Sequence, residues 1–250
     1  MSYEEQVNYE LQFWKMELMK KPSVLGNLAT KVQTKINSYI PTKVHKAITT
    51  TIKQMVKAVL FGSTYTTSAM PDSDMSLLHR EALVKAKIEN YSKTGAAEGG
   101  ITGAGGLLMS MADFPILIGI KIKMLFEIAS LYGFNVKDYR ERLYILHVFQ
   151  LAFSSKVGTQ NVFKQMQNWD EKLIVLPESA DQFDWQTFQQ EYRDYIDLAK
   201  MAQLLPVVGA AVGAVANYKL IQKLGKTAMM AYRLRILRSE SREVRESNYH

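Results

Sequence analysis

The sequence predicts an all-α protein, a multi-helix bundle of roughly eight to ten helices. Apolar residues recur at spacings of three and four along most of the chain, which is the period of an amphipathic helix. Sustained alternation of apolar and polar residues is absent, and residues 173–177 are the only strand-like fragment. A composition of 47% hydrophobic residues, 14 glycines and 6 prolines in 250 residues is typical of a folded domain and excludes a disordered or collagen-like chain.

Two amphipathic helices are predicted in the first quarter of the chain. The first carries an apolar stripe from Tyr3 to Leu18 and ends before Pro22, because a residue that precedes proline disfavours the helical conformation. The second begins at Pro41, since proline suits the first position of a helix, and it ends at Gly62, a natural C-terminal cap.

The next two predicted helices are identified by their caps. Asp74 or Ser76 can cap a helix with an apolar stripe that continues to residue 91. Asp113 stands two residues before Pro115, which is the arrangement of an N-cap followed by an early helical proline. We therefore expect a helix that starts at Asp113 and ends at Gly133.

Two further apolar stripes, at residues 139–153 and 185–199, complete the predicted bundle. No change of composition divides the chain, so we expect one helical domain over residues 1–250. Within it, residues 1–21 form a peripheral N-terminal helix and residues 219–238 a basic C-terminal helix.

Small residues in two segments predict unusually close helix packing. Glycines four residues apart fall on one helix face and let another helix approach, while each interior glycine costs about 0.5–1 kcal/mol relative to alanine. We expect the two segments to pack together at the centre of the bundle, as a glycine zipper; flexible linkers and a phosphate-binding loop are the alternatives. The glycines are Gly95, Gly99, Gly103 and Gly106 in the first segment, and Gly209 and Gly213 in the second.

The charge of the chain points to an anionic partner. The net charge is +7 and the isoelectric point is near 9.3. Lysines dominate residues 15–60, and a basic segment directly follows the uncharged residues 201–218, an order typical of a membrane interface. Solvated surface lysines are the alternative, and no nucleic-acid partner is expected because the sequence has no recognition signature. The predicted membrane-binding residues are Lys219, Lys223, Lys226, Arg233, Arg235 and Arg238.

Two apolar stretches approach the length of a membrane span, which is about 20 residues. Residues 99–120 and 201–218 are diluted by glycine and alanine, and Asp113 would be costly at the centre of a bilayer. We expect them to be buried helices, with insertion as a helical hairpin as the alternative. Glu4, Glu5 and Glu10 stand where a secretory signal would carry lysines, so we expect a cytoplasmic protein, peripheral at the inner face of the cell membrane.

The sequence offers little for metal or cofactor chemistry. There is no cysteine, and the four histidines are far apart with no metal-type pairing, so we expect no metal and no cofactor. His147 is predicted to line the core or to cap its helix. The histidines are His45, His79, His147 and His250.

Two acids within glycine-rich apolar sequence are the candidate catalytic residues if the protein is an enzyme. Glu98 and Asp113 would be costly there as unpaired charges. A polar pocket around both, with Thr102, could serve a hydrolase. The structural alternatives are the helix cap for Asp113 and a buried ion pair for Glu98. Its candidate lysine partners are Lys87, Lys121 and Lys123.

Four sequence blocks together resemble the EcsC family. They are W-x-x-x-L with K-K-P-S at residues 14–23, K-I-N…I-P-x-K-V-H at 35–45, G-x-x-x-G-G-x-T-G-x-G-G…A-D-F-P at 95–115 and I-A-x-L-Y-G-F at 128–134. The resemblance covers nearly the whole chain. It implies a bacterial protein encoded beside an ABC transporter, and it implies no established catalytic activity.

The resulting hypothesis is a non-enzymatic accessory protein of the cytoplasmic membrane face. Its partner would be an anionic lipid surface or a subunit of the transporter. An enzyme and a membrane-inserted hairpin protein remain the alternatives.

Overall fold

A computed structural model describes residues 1–20, 42–61, 71, 74–104, 106–177, 179–184, 186, 188, 192 and 210–247. These residues form eight α-helices and no strand, which confirms the predicted all-α fold. Most of the helix predicted at residues 185–199 lies outside the described part of the chain. The helices are α1 Tyr3–Met19, α2 Thr42–Phe61, α3 Leu77–Ala104, α4 Gly106–Leu131, α5 Tyr139–Phe153, α6 Lys156–Gln167, α7 Trp169–Val175 and α8 Ala210–Ser247, with a single 3-10 turn at Ala180–Gln182.

Side-chain caps begin α1 and α3. The Ser2 hydroxyl accepts from the Glu5 amide at 3.1 Å, and the Glu5 carboxylate accepts from the Ser2 amide at 2.8 Å, so a reciprocal capping box starts α1. At the start of α3 the Ser76 hydroxyl accepts from the His79 amide at 3.4 Å, which identifies Ser76 rather than Asp74 as the cap. The caps satisfy amide groups that a first helical turn leaves without partners.

The structure corrects the expected start of α4. The helix begins at Gly106, and it continues through Pro115, so Asp113 lies in its interior and is not an N-cap. A proline inside a helix removes one backbone hydrogen bond and costs about 3 kcal/mol. Here the Pro115 ring is exposed, while Phe114 and Leu117 beside it are fully buried. Burial of these neighbours offsets the cost of the proline and keeps the helix continuous.

The predicted end of α4 is confirmed. Gly133 has a φ of +90°, a conformation that L side chains rarely adopt, and the Phe134 amide donates back to the Ala129 carbonyl at 3.0 Å. Asp138 then caps α5 by accepting from the Arg140 amide at 2.9 Å. Thirteen of the 15 residues of α5 are buried, and a helix buried on all sides must lie inside the bundle.

Helices α3 and α8 run antiparallel in close contact. A Cβ atom on Gly99 would lie 2.7 Å from the Gly213 carbonyl oxygen, and one on Gly225 would lie 2.6 Å from the Ile88 side chain. Gly95 faces Ile221 in the same interface. The atom that a Cβ on Gly99 would meet belongs to the backbone of α8, so only glycine at this position allows the two helix backbones to approach so closely. Of Gly103 and Gly106 the structure describes the helical backbone, and Gly209 lies outside the described residues.

Candidate functional site

A buried ion pair joins the N-terminal part of α3 to α8. Arg233 is 3% exposed and binds Glu81, which is fully buried, through Nε and Nη2 at 2.6 and 2.5 Å. The remaining Nη1 donates to Glu10 on α1 at 2.6 Å, and the hydroxyls of Tyr3 and Tyr132 also donate to Glu81. Burial alone would raise the pKa of Glu81, but these donors hold it below its usual range. The cluster ties α1, α3, α8 and the end of α4 together.

A second arginine of α8 is also held inside the protein. Arg235 Nη1 donates to Glu141 at 2.6 Å, and its guanidinium lies 3.9 Å from the ring centroid of Phe134 and 4.5 Å from that of Tyr144. Burial raises the pKa of Glu141, and the charge of Arg235 opposes that effect. Such a stacked, hydrogen-bonded arginine is part of the core rather than of a binding surface.

These contacts correct the prediction that Arg233 and Arg235 bind an anionic surface. Both guanidinium groups are 11% exposed or less, and each is engaged by an internal carboxylate. Removing either one from its carboxylate would leave a buried charge unpaired. The two arginines therefore serve the stability of the fold.

The three predicted lysines occupy one exposed face of α8. Lys219, Lys223 and Lys226 are all exposed and follow each other at spacings of four and three. Val212 and Val215 precede them in the same helical phase and are 56% and 54% exposed. We call these five residues the α8 stripe. It begins apolar and becomes basic along the helix axis.

Two more exposed apolar side chains lie at the same end of the bundle as the apolar part of the α8 stripe. Ile101 on α3 is 62% exposed and Ile116 on α4 is 55% exposed. The contacts of Gly99 with Gly213 and of Lys121 with Asn217 place both near the start of α8. We call Ile101, Ile116, Val212 and Val215 the apolar tip. An exposed apolar patch of this kind typically marks a membrane or protein contact.

The candidate catalytic acids are not joined in one described cavity. Glu98 and Asp113 are half-buried within α3 and α4, and the side chain of Thr102 lies outside the described part of the structure. Of the three candidate partners of Glu98, Lys87 pairs with Glu127 at 2.7 Å. The geometry of the described residues assigns no reaction to these acids.

A fully buried lysine lies beside the glycine contact. Lys121 Nζ donates to Asn217 Oδ1 at 3.0 Å and to the Leu117 carbonyl at 3.2 Å. Burial lowers its pKa to about 7, which would suit a general base. With 0% exposure it has no route to a substrate in this conformation, so the geometry favours a structural role. The sequence suggested Lys121 as an ion-pair partner of Glu98. In the structure, the side-chain acceptor of Lys121 is Asn217.

His147 lines the core, as predicted. Its Nδ1 lies 3.2 Å from Gln150 Oε1, and Lys172 Nζ lies 3.3 Å from its Nε2. Burial, and then the nearby charge of Lys172, lower its pKa to about 3. It borders a cavity of about 210 Å³ whose walls include Phe183 and Phe188. The neutral imidazole is held among aromatic rings.

Two features are absent from the described residues. These residues contain no group of three or more histidine, aspartate or glutamate side chains placed to hold a metal ion. Within the same ranges, no helix combines the length and the apolar character that crossing a membrane requires.

Comparison with known proteins identifies the family. Residues 5–237 match the EcsC protein family. The chain belongs to the EcsC family. It is 48% identical to Protein EcsC of Bacillus subtilis (strain 168), over 92% of this chain and 94% of that protein. It is 29% identical to Uncharacterized protein YdbA of the same organism, over 59% of this chain and 54% of that protein. No solved structure matches.

Sequence reasoning missed the internal charges of this EcsC-family chain. Glu81 and Glu141 belong to ordinary amphipathic segments, and nothing in their local sequence distinguishes them from surface acids. The one available signal was the basic run at 219–238, which has no acid to balance it and includes Arg233 and Arg235. Partners for those arginines had to come from elsewhere in the chain.

Proposed function

We propose that this EcsC-family protein is a non-enzymatic accessory protein that docks on the cytoplasmic face of a membrane and binds anionic lipid. The α8 stripe is the observation that carries the proposal. Its valines would enter the interface between headgroups and acyl chains, and its lysines would lie among the anionic headgroups. Ile101 and Ile116 would extend the apolar contact on the neighbouring helices.

The energies fit reversible docking. Burying four side chains that are each a little more than half exposed contributes about 1 kcal/mol apiece. Each lysine near an anionic surface adds about 1 kcal/mol, so lipid contact yields about 7 kcal/mol before the cost of association. That sum would correspond to a dissociation constant of about 10 μM, and the cost of association makes the binding weaker than that. Binding of this strength is peripheral, and salt would weaken its lysine part.

The interior charges support a non-enzymatic role. Arg233, Arg235 and Glu81 are engaged in structural ion pairs, and Lys121 is enclosed. A group that acts in catalysis must reach a reacting atom, directly or through one water. These groups have a structural use and no described path to a substrate.

A transporter subunit is the other partner that the family resemblance suggests. Docking of such a subunit on the α8 stripe would require a surface that carries both apolar and acidic groups. Binding to protein-free vesicles separates the two partners, because a protein-dependent interaction would leave such vesicles unbound.

The test is co-sedimentation with vesicles of neutral phosphatidylcholine and of phosphatidylcholine mixed with phosphatidylglycerol. We expect binding to the anionic vesicles that decreases at high salt. Lys219→Glu/Lys226→Glu should abolish most of it. The matched control is Lys137→Glu/Lys164→Glu, which makes the same change of net charge at two exposed lysines on the α4–α5 connection and on α6.

Equal loss of binding in the two double variants would contradict the assignment of lipid binding to the α8 stripe and would show that net charge alone drives the binding. Absence of vesicle binding by the unmodified protein would overturn the lipid proposal and favour the transporter subunit. Retention in membranes after alkaline carbonate extraction would favour the inserted hairpin over peripheral docking.

A further inference from the structure

A second surface feature lies far from the apolar tip, between α1, the junction of α6 with α7, and the C-terminal half of α8. It is a cavity of about 480 Å³, which we call the α1/α8 cavity. Six polar side chains line it, and they supply amide groups and two cations. They are Asn8, Gln12, Lys15, Gln167, Asn168 and Arg238.

The two cations of the α1/α8 cavity lie close enough to affect each other. Burial lowers the pKa of Lys15, and the charge of Arg238 lowers it further. Arg238 donates to Glu171 Oε1 and to Asn168 Oδ1, each at 3.0 Å. Within the part of the chain that the structure describes, Lys15 has neither an ion pair nor a hydrogen bond. Two like charges that share a half-buried cavity repel each other, and an anion placed between them would convert that repulsion into attraction.

The size and the floor of the cavity indicate more than an inorganic ion. Its volume is in the range of sites for small organic ligands. Leu11, Leu234 and Leu237 line it beneath the polar side chains, and the first two are 1% and 6% exposed. A ligand that fits this lining has an anionic head for the cations and a short apolar part for the leucines.

We propose that the α1/α8 cavity binds a small organic anion, with a phosphate or carboxylate group held by Lys15 and Arg238. The site is separate from the lipid-binding surface. Val215 and Arg238 lie 23 residues apart on one helix, which corresponds to about 35 Å. With the apolar tip in a bilayer, the cavity would stand in the surrounding solution and take a soluble anion. Arg238, which the sequence assigned to the membrane, would bind this ligand.

Calorimetric titration with hexyl phosphate and with hexanoate tests the proposal, with hexanol as the uncharged control. We expect at least one of the two anions to bind and hexanol not to bind. Lys15→Gln should weaken anion binding about tenfold or more, because it removes a charge-assisted contact. Lys137→Gln, the same change at an exposed lysine of the α4–α5 connection, should leave the affinity unchanged.

Stability gives an independent readout for the same variant. Without ligand, Lys15→Gln should unfold at the same temperature as the unmodified protein or higher, because it relieves the repulsion from Arg238. Weaker anion binding by a variant that is equally or more stable assigns Lys15 to ligand binding rather than to the fold. Failure of both anions to bind at millimolar concentration, or equal weakening by Lys137→Gln, would overturn the proposal.

Vesicles distinguish a soluble anion from a lipid headgroup. We expect Lys15→Gln and Lys137→Gln to bind anionic vesicles equally, because neither residue belongs to the α8 stripe. Selective loss of vesicle binding in Lys15→Gln would identify a lipid headgroup as the anion and overturn a separate soluble-ligand site. Since the proposed membrane function is tested through Lys219 and Lys226, either proposal can fail while the other holds.

Discussion

Two glycine-to-alanine substitutions should change stability in opposite directions. At Gly99 a Cβ atom would lie 2.7 Å from the Gly213 carbonyl oxygen and 2.7 Å from Asn217 Nδ2, which is well inside van der Waals contact. The carbonyl belongs to the backbone of α8, so accommodating the new methyl group requires the two helices to separate. At Gly119 on α4 a Cβ atom would meet nothing within 4 Å. The chemical change is the same, and only the space around it differs.

The expected magnitudes follow from these distances. Overpacking costs about 1–3 kcal/mol, and replacing an interior helical glycine by alanine returns about 0.5–1 kcal/mol. Gly99→Ala should therefore destabilise the protein by about 1–2 kcal/mol, whereas Gly119→Ala should stabilise it by about 0.5–1 kcal/mol. At about 2–4 °C per kcal/mol for a chain of this size, the two melting temperatures should differ by about 3–12 °C.

Thermal and urea unfolding, followed by circular dichroism at the helical minimum, measures both variants against the unmodified protein. A Gly99→Ala variant as stable as Gly119→Ala would refute the close contact of α3 with α8. Loss of stability in both variants would show instead that α4 is packed tightly around Gly119.

Two further predictions concern buried charges. Arg233→Met should destabilise the protein by about 3–5 kcal/mol, because it leaves the fully buried Glu81 without its cation. Adding Glu81→Gln should recover part of that loss, and urea unfolding measures the single and the double variant. A double variant less stable than Arg233→Met alone would contradict the ion pair. His147 has a pKa of about 3 when folded and about 6.5 when unfolded, so the unfolded chain binds the proton first and stability falls as the pH drops below 6.5. Between pH 7 and pH 5 the protonation of His147 should lower the free energy of unfolding by about 2 kcal/mol, and the His147→Gln variant should not show this loss. An equal loss in the variant and the unmodified protein would argue against a buried neutral imidazole.

Local sequence rules predicted most helices but not their limits where packing decides. Ser76 and Gly133 act within one turn of the chain, and short-range signals of this kind identified the start of α3 and the end of α4. The limits predicted for α2, Pro41 and Gly62, lie outside the described residues. Asp113 and Pro115 form an equally good local signal, yet α4 runs through both. Phe114 and Leu117 near the proline are buried inside the protein, and the energy of that burial has no local signature in the sequence.

In the candidate site, too, some features follow from local sequence and others depend on packing between distant helices. An apolar segment followed by a basic helix can be read directly from residues 201–238, because the order of residue types needs no partner. Lys226 and Arg233 are seven residues apart and share a helical phase, so periodicity assigns both to one face of α8. Lys226 is exposed, whereas Arg233 is enclosed by Glu81 of α3 and Glu10 of α1.

Composition and periodicity therefore determined the helical class of this protein, its basic helix and its glycine-faced segments. Tertiary packing decided which basic residues remain at the surface, because burial of a side chain depends on whichever distant helix covers it. Glu10 lies 223 positions from Arg233 in the chain, and their contact has no trace in the sequence near either residue.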